Sequence, residues 1–366
     1  MKIAIIGGGI VGSVTAFYLS QTDHQVTLYD SGIGQATKAA AGIICPWFSK
    51  RRNKPWYRMA NAGAHFYPQL IADLAQAGIT SQAYQKRTTW LLKKREKMID
   101  ELMTIANRRK ENAPLIGQIR RLKPSQAQAA LEPWTYDQDL IQIDSGAAVI
   151  DGDLLCQELL NAAQDKGLTV IPEAATIDAI SSTEVKIQQQ SYDRVIIAAG
   201  AWLGEILAPY TKSVDVRPQK GQLLVYDHIS QAEQWPLIMP EGQADIIPHQ
   251  GQRLFLGATH ENDQGFDLSP NLQALEEIMT TAQDLLPAID FSDYQAIKVG
   301  TRAYTSDFAP FYGALPKYDH IYVASGLGSS GLTTGPIIGH ELAAMVTGSD
   351  LQLDPQDYPV ENYIKF

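Results

Sequence analysis

The fold is decided near the start of the chain, where residues 2–12 read KIAIIGGGIVG. The short apolar run before the glycines is typical of a buried parallel strand. After the glycines, apolar side chains recur at helical spacing as far as Ser20, and residues 25–29 predict a second strand that ends at Asp30. This order of strand, glycine-rich turn, helix and strand predicts a βαβ unit.

Three glycines in this stretch have the spacing Gly7-x-Gly9-x-x-Gly12. In such a turn Gly7 permits the tight bend, Gly9 lets a pyrophosphate approach the backbone, and Gly12 allows helix and strand to pack closely. The helix amino terminus offers free N–H groups and the positive end of its dipole to phosphates. Asp30 is positioned to accept hydrogen bonds from ribose hydroxyls. The pattern predicts dinucleotide binding, but alone it does not separate FAD from NAD.

A second stretch, residues 36–43, follows Asp30 closely and reads ATKAAAGI. Its small side chains would let the backbone pass close to a bulky, flat ligand. A tightly packed loop would have the same composition, so this stretch alone leaves both interpretations open.

The composition is that of an ordinary globular protein. Of the 366 residues, 45% are hydrophobic and 19% are charged, and this length is enough for about two domains. The formal net charge of −10 disfavours nucleic acid as a partner, because non-specific affinity for nucleic acid comes from neutralising phosphates. The seven histidines show no HxxxH spacing, and we expect no metal site.

The cysteines and the amino terminus bear on the cellular compartment. Cys45 and Cys156 are far apart and in no CxxC spacing, so we expect neither a disulfide nor a zinc site, and a reducing compartment. The first residues lack the form of a secretory signal, and no apolar run of about 18 residues predicts a membrane span. These features predict a cytoplasmic protein.

Further along the chain, periodicity predicts helices at 59–76, 93–110 and 270–286, one between 148 and 167, and a last one that ends near 346. Strands are predicted at 168–171, 194–199, 222–226, 244–248, 254–258 and 320–324. The basic runs at 93–97 and 108–110 are expected to be exposed helix faces.

Several further motifs follow the glycine-rich turn in order. They are the Ala-Ala-Gly segment near residue 41, Ala198-Ala199-Gly200-Ala201-Trp202, Lys220-Gly221-Gln222, Gly257-Ala258-Thr259, Gly300-x-Arg302-x-x-Thr305-x-Asp307-x-x-Pro310 and Gly326-x-Gly328-x-x-Gly331-Leu332-Thr333. Together with the turn they span nearly the whole chain, and they resemble the D-amino-acid oxidase family of flavoproteins, especially its glycine oxidase and D-amino-acid dehydrogenase branches.

The resemblance implies an α/β fold, α+β overall, in which a Rossmann-type FAD-binding domain is interleaved with a mixed-sheet substrate domain. The FAD-binding domain would be discontinuous and consist of residues 1–48, 142–215 and 300–366. Residues 49–141 and 216–299 would form the substrate-binding domain.

The resemblance also implies FAD as the cofactor. The residues expected to bind FAD are Gly7, Gly9, Ile10, Val11, Gly12, Asp30, Ser31, Ala36, Thr37, Ala41, Gly42, Ile43, Ile177, Gly200, Trp202, Leu327, Gly328, Ser329, Ser330, Gly331, Leu332 and Thr333. In the sarcosine-oxidase branch a cysteine holds the flavin covalently, at a place where this chain has Gly300 and its neighbours. No cysteine stands there, so we expect the FAD to be bound non-covalently.

By the same resemblance, Arg302 is expected to hold a substrate carboxylate. A guanidinium matches a carboxylate with two parallel hydrogen bonds and stays charged at any working pH. A structural ion pair with a nearby acid such as Asp307 is the alternative. Residues 326–333 are expected to face the pyrimidine edge of the flavin, where a helix amino terminus stabilises negative charge. An ordinary glycine-rich turn before a helix is the alternative there.

Two positions depart from the glycine oxidase pattern. Ser329 stands in place of a second arginine, and Asp245 stands in place of a tyrosine in a strand that reads Asp245-Ile246-Ile247-Pro248. Both departures weaken the case for glycine as the substrate. Asp245 is a candidate catalytic residue that would pair with an amine, while a solvent-facing position on the strand is equally open.

The segment 47–57, WFSKRRNKPWY, mixes basic and aromatic side chains. Such a mixture can suit nucleic acid, but the negative net charge argues against that partner. A solvated loop, and a lid or pocket wall that favours an anionic substrate, are the two remaining interpretations.

The resemblance implies an enzyme that oxidises the C–N bond of a small amino acid or amine by hydride transfer to the flavin. Its partners would be that substrate and oxygen or another electron acceptor, and a homo-oligomer stays open. The first alternative is a dehydrogenase that passes electrons to a quinone or another carrier. The second is a non-catalytic or tRNA-modifying flavoprotein.

Overall fold

A computed structural model describes all residues, 1–366. The helices are α1 (Ile10–Ser20), α2 (Lys54–Gln76), α3 (Glu96–Arg109), α4 (Pro124–Ala130), α5 (Gly152–Gln164), α6 (Leu203–Leu207), α7 (Leu272–Leu285) and α8 (Gly331–Thr347). The strands are β1 (Lys2–Ile6), β2 (Gln25–Tyr29), β3 (Ile43–Ile44), β4 (Tyr84–Leu92), β5 (Ile119–Leu122), β6 (Leu140–Ile150), β7 (Thr169–Ile171), β8 (Ile177–Ile180), β9 (Val185–Ile187), β10 (Gln190–Tyr192), β11 (Arg194–Ile197), β12 (Ser213–Val214), β13 (Arg217–Tyr226), β14 (Leu237–Met239), β15 (Asp245–Pro248), β16 (Leu254–Gly257), β17 (Ala296–Tyr304), β18 (Phe311–Leu315), β19 (Tyr318–Ser325) and β20 (Ile364–Lys365).

The first layer is a six-stranded sheet with the order β18-β19-β11-β1-β2-β7. All its neighbouring strands run parallel except β18, which pairs antiparallel with β19 at the edge. Helices α1, α5 and α8 pack together over one face. Because the central strands are covered on both faces, their side chains form nearly continuous apolar runs, as in β1.

The second layer is a nine-stranded, mostly antiparallel sheet with the order β17-β13-β16-β15-β14-β4-β6-β3, to which β5 adds through β6. Helix α7 covers one face, where Leu275 and Ile278 pack against strand residues such as Leu224 and Ile246. The opposite face carries Leu223, Ile247 and Phe255 and packs against Ala41 and Ile43. We call this opposite face the site face.

The predicted βαβ unit is present as β1, α1 and β2, and the helices predicted at 59–76, at 270–286 and at the carboxyl end correspond to α2, α7 and α8. The prediction of a helix from residue 93 was wrong at its start. Helix α3 begins at Glu96, and Lys93 directly follows strand β4, where it is partly buried instead of lying on an exposed helix face. Strands β4 and β6 were not predicted.

The division into two interleaved domains stays a prediction. Strand β6 crosses the expected boundary at residue 142 and strand β17 crosses the one at residue 300, and both belong to the nine-stranded sheet. None of the helices has both the length and the apolar character needed to cross a membrane.

Candidate functional site

A cavity of about 560 Å³ opens at the carboxyl ends of the central parallel strands. This edge is where open α/β sheets bind their ligands. The predicted residues that line the cavity are Gly7, Gly9, Ile10, Val11, Asp30, Ser31, Ala36, Thr37, Ile177, Gly200, Trp202, Leu327, Gly328 and Gly331. They come from segments far apart in the sequence, and the fold brings them together around one space.

The glycine-rich turn has the geometry that a phosphate-binding turn requires. Gly7 adopts φ +105°, and a β-carbon there would lie 2.4 Å from the carbonyl oxygen of Ala198. A β-carbon on Gly12 would lie 1.8 Å from the carbonyl oxygen of Gly7, so α1 packs directly on the turn. Gly9, by contrast, borders the cavity, and a β-carbon there would contact only the hydroxyl of Thr37.

Asp30 closes β2 at the cavity wall, and its carboxylate organises the turn. Its Oδ2 accepts hydrogen bonds from the backbone N–H of Gly8 and from Nε2 of Gln35 (2.7 Å), and its Oδ1 accepts one from the backbone N–H of Gly32. A carboxylate offers about four acceptor positions. One position on Oδ1 is therefore left for a ligand hydroxyl.

Some predicted FAD-binding residues do not line the cavity. They are Gly12, Ala41, Gly42, Ile43, Ser329, Ser330, Leu332 and Thr333. Gly42 has a packing role, because a β-carbon there would lie 1.9 Å from the carbonyl oxygen of Ile150. The cavity wall also includes residues that were not predicted, among them Thr301, Ala303 and Ser325. Thr301 and Ala303 flank Arg302 on β17, where strand alternation turns their side chains to the face opposite that of Arg302, so the motif around Arg302 did not mark them.

The cavity residues fit FAD. The wall contains Gly9 and Asp30, where a pyrophosphate and a ribose would lie, together with Thr301, Ala303 and Gly328 from the second half of the chain. The segment 35–39 passes so close to β17 that a β-carbon on Gly300 would lie 2.9 Å from the β-carbon of Ala39. A cavity whose wall combines a glycine turn with close-packed small residues suits a dinucleotide with a flat ring.

The turn before α8 forms another part of the cavity wall. A β-carbon on Gly328 would lie 2.7 Å from the ring of Tyr304, and the backbone N–H of Ser329 donates a hydrogen bond to the hydroxyl of Tyr304 (3.1 Å). Leu327, Gly328 and Gly331 border the cavity beside the amino terminus of the helix. The helix dipole therefore raises the electrostatic potential at this end of the cavity.

Arg302 lies on β17 between the cavity-lining residues Thr301 and Ala303. Its Nη1 donates hydrogen bonds to the carbonyl oxygen of Thr259 (2.8 Å) and to Oε1 of Gln219 (3.2 Å). Burial lowers the pKa of the guanidinium, an effect that Tyr304 and Glu261 partly offset. No carboxylate pairs with it, and its Nε and Nη2 have no protein acceptor.

The alternative ion pair between Arg302 and Asp307 does not form. Asp307 instead accepts hydrogen bonds from the hydroxyls of Thr305 (3.0 Å) and Tyr363 (2.9 Å).

A polar network fixes the carbonyl group that Arg302 contacts. Glu261 accepts hydrogen bonds from the hydroxyl of Thr259 (2.8 Å), from Gln222 (2.5 Å) and from Asn271 (2.9 Å). The hydroxyl of Thr259 also accepts a hydrogen bond from the backbone N–H of Gln222 (3.0 Å). Glu261 and the hydroxyl of Thr259 each have more than one hydrogen-bond partner, so the chain at Thr259, and with it the Arg302 guanidinium, is held in place.

Asp245 begins β15 on the site face and is partly buried. Burial raises the pKa of its carboxyl group to about 7, and the nearby ammonium of Lys93 opposes that rise. Its side chain makes no hydrogen bond within the protein. The facing thiol of Cys45 is also desolvated, and burial raises its pKa to about 12. The solvent-facing interpretation of Asp245 was therefore wrong.

The segment 47–57 is anchored at both ends. Trp47, Phe48 and Trp56 are buried, and Nε1 of Trp56 donates to the hydroxyl of Ser330 (3.2 Å) in the turn before α8. The guanidinium of Arg51 lies 4.4 Å from the ring centre of Trp56. The segment thus forms a basic wall beside the turn, with its charged residues exposed.

Comparisons with known proteins agree with this architecture. Residues 2–345 match the family described as DAO, FAD dependent oxidoreductase. The chain is 37% identical to the uncharacterised oxidoreductase YurR of Bacillus subtilis, with 97% of each chain covered. It is 25% identical to the glycine oxidase of Pseudomonas aeruginosa, with 98% of each chain covered.

Two solved structures have the same fold. Iminodiacetate oxidase (IdaA) from Chelativorans sp. BNC1 superposes with a TM-score of 0.90 at 30% identity, over 99% of this chain and 98% of that chain. Glycine oxidase from Geobacillus kaustophilus superposes with a TM-score of 0.85 at 23% identity, over 98% of this chain and 97% of that chain. The predicted α/β fold and the predicted cofactor are thereby confirmed, and the chain belongs to the DAO family of FAD-dependent oxidoreductases.

Proposed function

We propose that this oxidoreductase oxidises the C–N bond of a small amino acid or amine that carries a carboxylate. The observation that carries the proposal is Arg302, a desolvated guanidinium with no acidic partner, on a strand whose neighbouring residues Thr301 and Ala303 line the FAD cavity. Glycine and iminodiacetate, the substrates in the names of two similar enzymes, are both carboxylate-bearing amines of this kind.

The energetics of Arg302 support a role in substrate binding. A buried cation without a counter-charge costs free energy, and an incoming carboxylate would recover that cost. The two hydrogen bonds to Nη1 hold the guanidinium plane, while Nε and Nη2 keep their donors free. Free donors on a fixed fork are what a bidentate carboxylate contact requires.

Asp245 supports the assignment of an amine as the group that reacts. In its ionised form the carboxylate would hold the charged amine or accept a proton from it, and amines lose a hydride only in the neutral state. A pKa of about 7 lets Asp245 take either protonation state near neutral pH. Asp245 would therefore position the amine and prepare it for oxidation.

The cavity residues would hold and tune the cofactor. Gly7, Gly9 and Asp30 would bind the pyrophosphate and ribose, and the turn before α8 would stabilise negative charge on the flavin beside the helix amino terminus. When bound, FAD accepts the two electrons and the hydrogen that leave the substrate carbon. No cysteine, the residue that holds the flavin in the sarcosine-oxidase branch, lines the cavity, which supports non-covalent binding.

The electron acceptor that completes the cycle is oxygen in this proposal, as the oxidase names of the similar enzymes suggest. A carrier such as a quinone is the alternative. Admitting air to the reduced enzyme separates the two, because an oxidase recovers its yellow colour within its turnover time and a dehydrogenase does not.

Substitution of Arg302 tests the proposal. Arg302→Lys keeps the charge but loses the planar fork, and a charge-assisted hydrogen bond is worth roughly 1.5–3 kcal/mol. We expect the Kd of the best substrate, from anaerobic bleaching of flavin absorbance, to rise by about tenfold or more. Arg302→Ala should raise it further, while the FAD content of both variants stays unchanged.

The matched control is Arg194→Ala, because Arg194 lies at the opposite end of its parallel strand from the cavity. That variant should bind substrate like the wild type. Wild-type Kd and bleaching rate in a folded Arg302→Ala protein would mean that the arginine is structural and that the substrate is not held by its carboxylate.

A further inference from the structure

Three charged side chains lie along one edge of the nine-stranded sheet, and we call them the charged edge: Arg302 at the end of β17, Asp245 at the start of β15, and Lys93 just after β4. Building on the proposed function, we infer that the substrate carries two carboxylates, one on each side of its amine, and that Lys93 receives the second one.

Strand register puts Arg302 and Asp245 on the same face. Asp245 stands opposite Gly257, Gly257 opposite Leu223, and Leu223 opposite Lys298. Residues directly opposite each other in an antiparallel pair point to one face, and residues four apart on a strand do so as well. Arg302, four residues beyond Lys298, therefore shares the site face with Asp245.

Lys93 reaches the same face from β4. Trp90 and Leu92 pack beneath α7 on the other face, whereas Leu91 belongs to the cluster on the opposite side. Lys93, two residues beyond Leu91, continues that alternation. Ile238 of β14 stands opposite Ile246 of β15 and opposite Trp90 of β4, so Asp245 and Lys93 lie at the same edge of the sheet, two strands apart.

Lys93 has no partner that satisfies it. No carboxylate oxygen lies within 4.0 Å of its Nζ, the limit for a salt bridge, and its ammonium makes no hydrogen bond. Burial lowers the pKa of the Lys93 ammonium, and Glu241 and Asp245 only partly offset that effect, while Lys50 adds to it. A lysine that is partly desolvated and unpaired gains free energy when an anion binds.

The order of charges along the edge is positive, negative, positive. Neighbouring strands lie about 4.8 Å apart, and the guanidinium of Arg302 reaches the carbonyl of Thr259, which follows β16, the neighbour of β15. On the other side Lys93 lies two strands from Asp245. An amine flanked by two carboxymethyl arms has the complementary order, carboxylate, ammonium, carboxylate.

This order selects against a substrate with one carboxylate. Such a molecule would satisfy Arg302 and Asp245 but would gain no binding free energy from Lys93, which keeps its own hydration. The chemistry balances for iminodiacetate: one arm loses a hydride to FAD and the nitrogen loses a proton. Water then hydrolyses the resulting imine to glyoxylate and glycine.

The experiment compares iminodiacetate with N-methylglycine, which has the same secondary amine but only one carboxylate, in Kd measurements on the FAD-loaded enzyme. Anaerobic bleaching gives the Kd of a ligand that reduces the flavin, and competition gives it for one that does not.

For Lys93→Met we expect the Kd of iminodiacetate to rise about tenfold and that of N-methylglycine to change less than twofold. Lys93→Arg should restore most of the affinity, and the control Lys94→Met, which removes an exposed neighbouring charge, should leave both values unchanged.

The outcomes separate this inference from the proposed function. If Lys93→Met changes both Kd values alike, or leaves that of iminodiacetate unchanged, the second carboxylate site is refuted while the oxidation of amino acids stands. If no carboxylate-bearing amine reduces the flavin of the wild-type enzyme, the proposed function itself fails and this inference fails with it.

Discussion

Asp245 carries a free-energy cost that depends on pH. Burial raises the pKa of its carboxyl group from 3.8 to about 7, so the folded state binds this proton more tightly than the unfolded chain does. This tighter proton binding contributes its full stabilisation below about pH 4, where the carboxyl group is neutral in both states. The stabilisation is lost as the pH rises through 7. Native Asp245 therefore destabilises the substrate-free enzyme at alkaline pH.

Asp245→Asn should remove this dependence, because the amide is neutral at every pH. We expect the variant to match the wild type in thermal stability near pH 4 and to exceed it at pH 8 by on the order of 4 kcal/mol. Thermal unfolding of the substrate-free holoenzyme at both pH values measures the difference, with the exposed Asp350→Asn as the control. If the difference in stability between Asp245→Asn and the wild type were the same at pH 8 as at pH 4, the carboxyl group would not be desolvated in the folded enzyme.

Residue chemistry explains why two members of the charged edge were predictable and the third was not. Arg302 stands in a motif whose spacing and residue types mark it, and Asp245 attracted attention as a departure from that pattern. Lys93 lies in the basic run KKREK, where nothing separates it from its exposed neighbours. Its position depends on where β4 ends and on pairing across several strands, which a single sequence does not encode locally.

At the scale of elements, the glycine-rich turn gives the most direct test. Gly9→Leu would put a branched side chain into the cavity at the place where the pyrophosphate is expected. We expect the purified variant to fold, by far-UV circular dichroism, and to lose its FAD, measured as flavin released into the supernatant by acid. Gly204→Ala serves as the control, because a β-carbon on Gly204 would meet only Val214, at 3.9 Å.

Stoichiometric FAD in a folded Gly9→Leu protein would contradict the assignment of this turn. Flavin that stays with the acid precipitate of the wild type would contradict non-covalent binding instead.

The βαβ unit was predictable because local pattern and tertiary environment agree there: an apolar strand is buried and a small-residue turn borders a ligand cavity. Strands β4 and β6 were missed for the opposite reason. β4 reads YQKRTTWLL, and its polar first half shows no clean alternation, although β6 and β14 pair with it on either side. Long-range pairing decides such strands, so their own sequence indicates little.

The whole molecule combines a negative net charge with a positive surface at the segment 47–57. The net charge is −10, yet Arg51 and Arg52 border a surface depression of about 310 Å³ beside Trp56 and Phe308. The turn before α8, which Trp56 contacts, connects this surface with the FAD cavity. Composition predicts only the total charge, whereas the fold decides where the opposite charges gather.

The overall negative charge and the local positive surface act on an anionic substrate in opposite directions. The dependence of the reaction rate on salt concentration shows which of the two effects is larger. Iminodiacetate bears a net charge of −1 near neutral pH, so the local cations attract it and the whole protein repels it. The cations of the positive surface act on the substrate at short range. We therefore expect their attraction to exceed the repulsion from the net charge. The bimolecular rate constant for flavin reduction should then fall about threefold as ionic strength rises from about 0.02 to about 0.3 M, since the screening length shortens over this range. Glycine, which is a net-neutral zwitterion, should show almost no salt dependence, and Arg51→Gln combined with Arg52→Gln should flatten the curve for iminodiacetate. A rate constant that rises with salt would mean that the net charge of −10 controls the approach and that the basic wall does not guide the substrate.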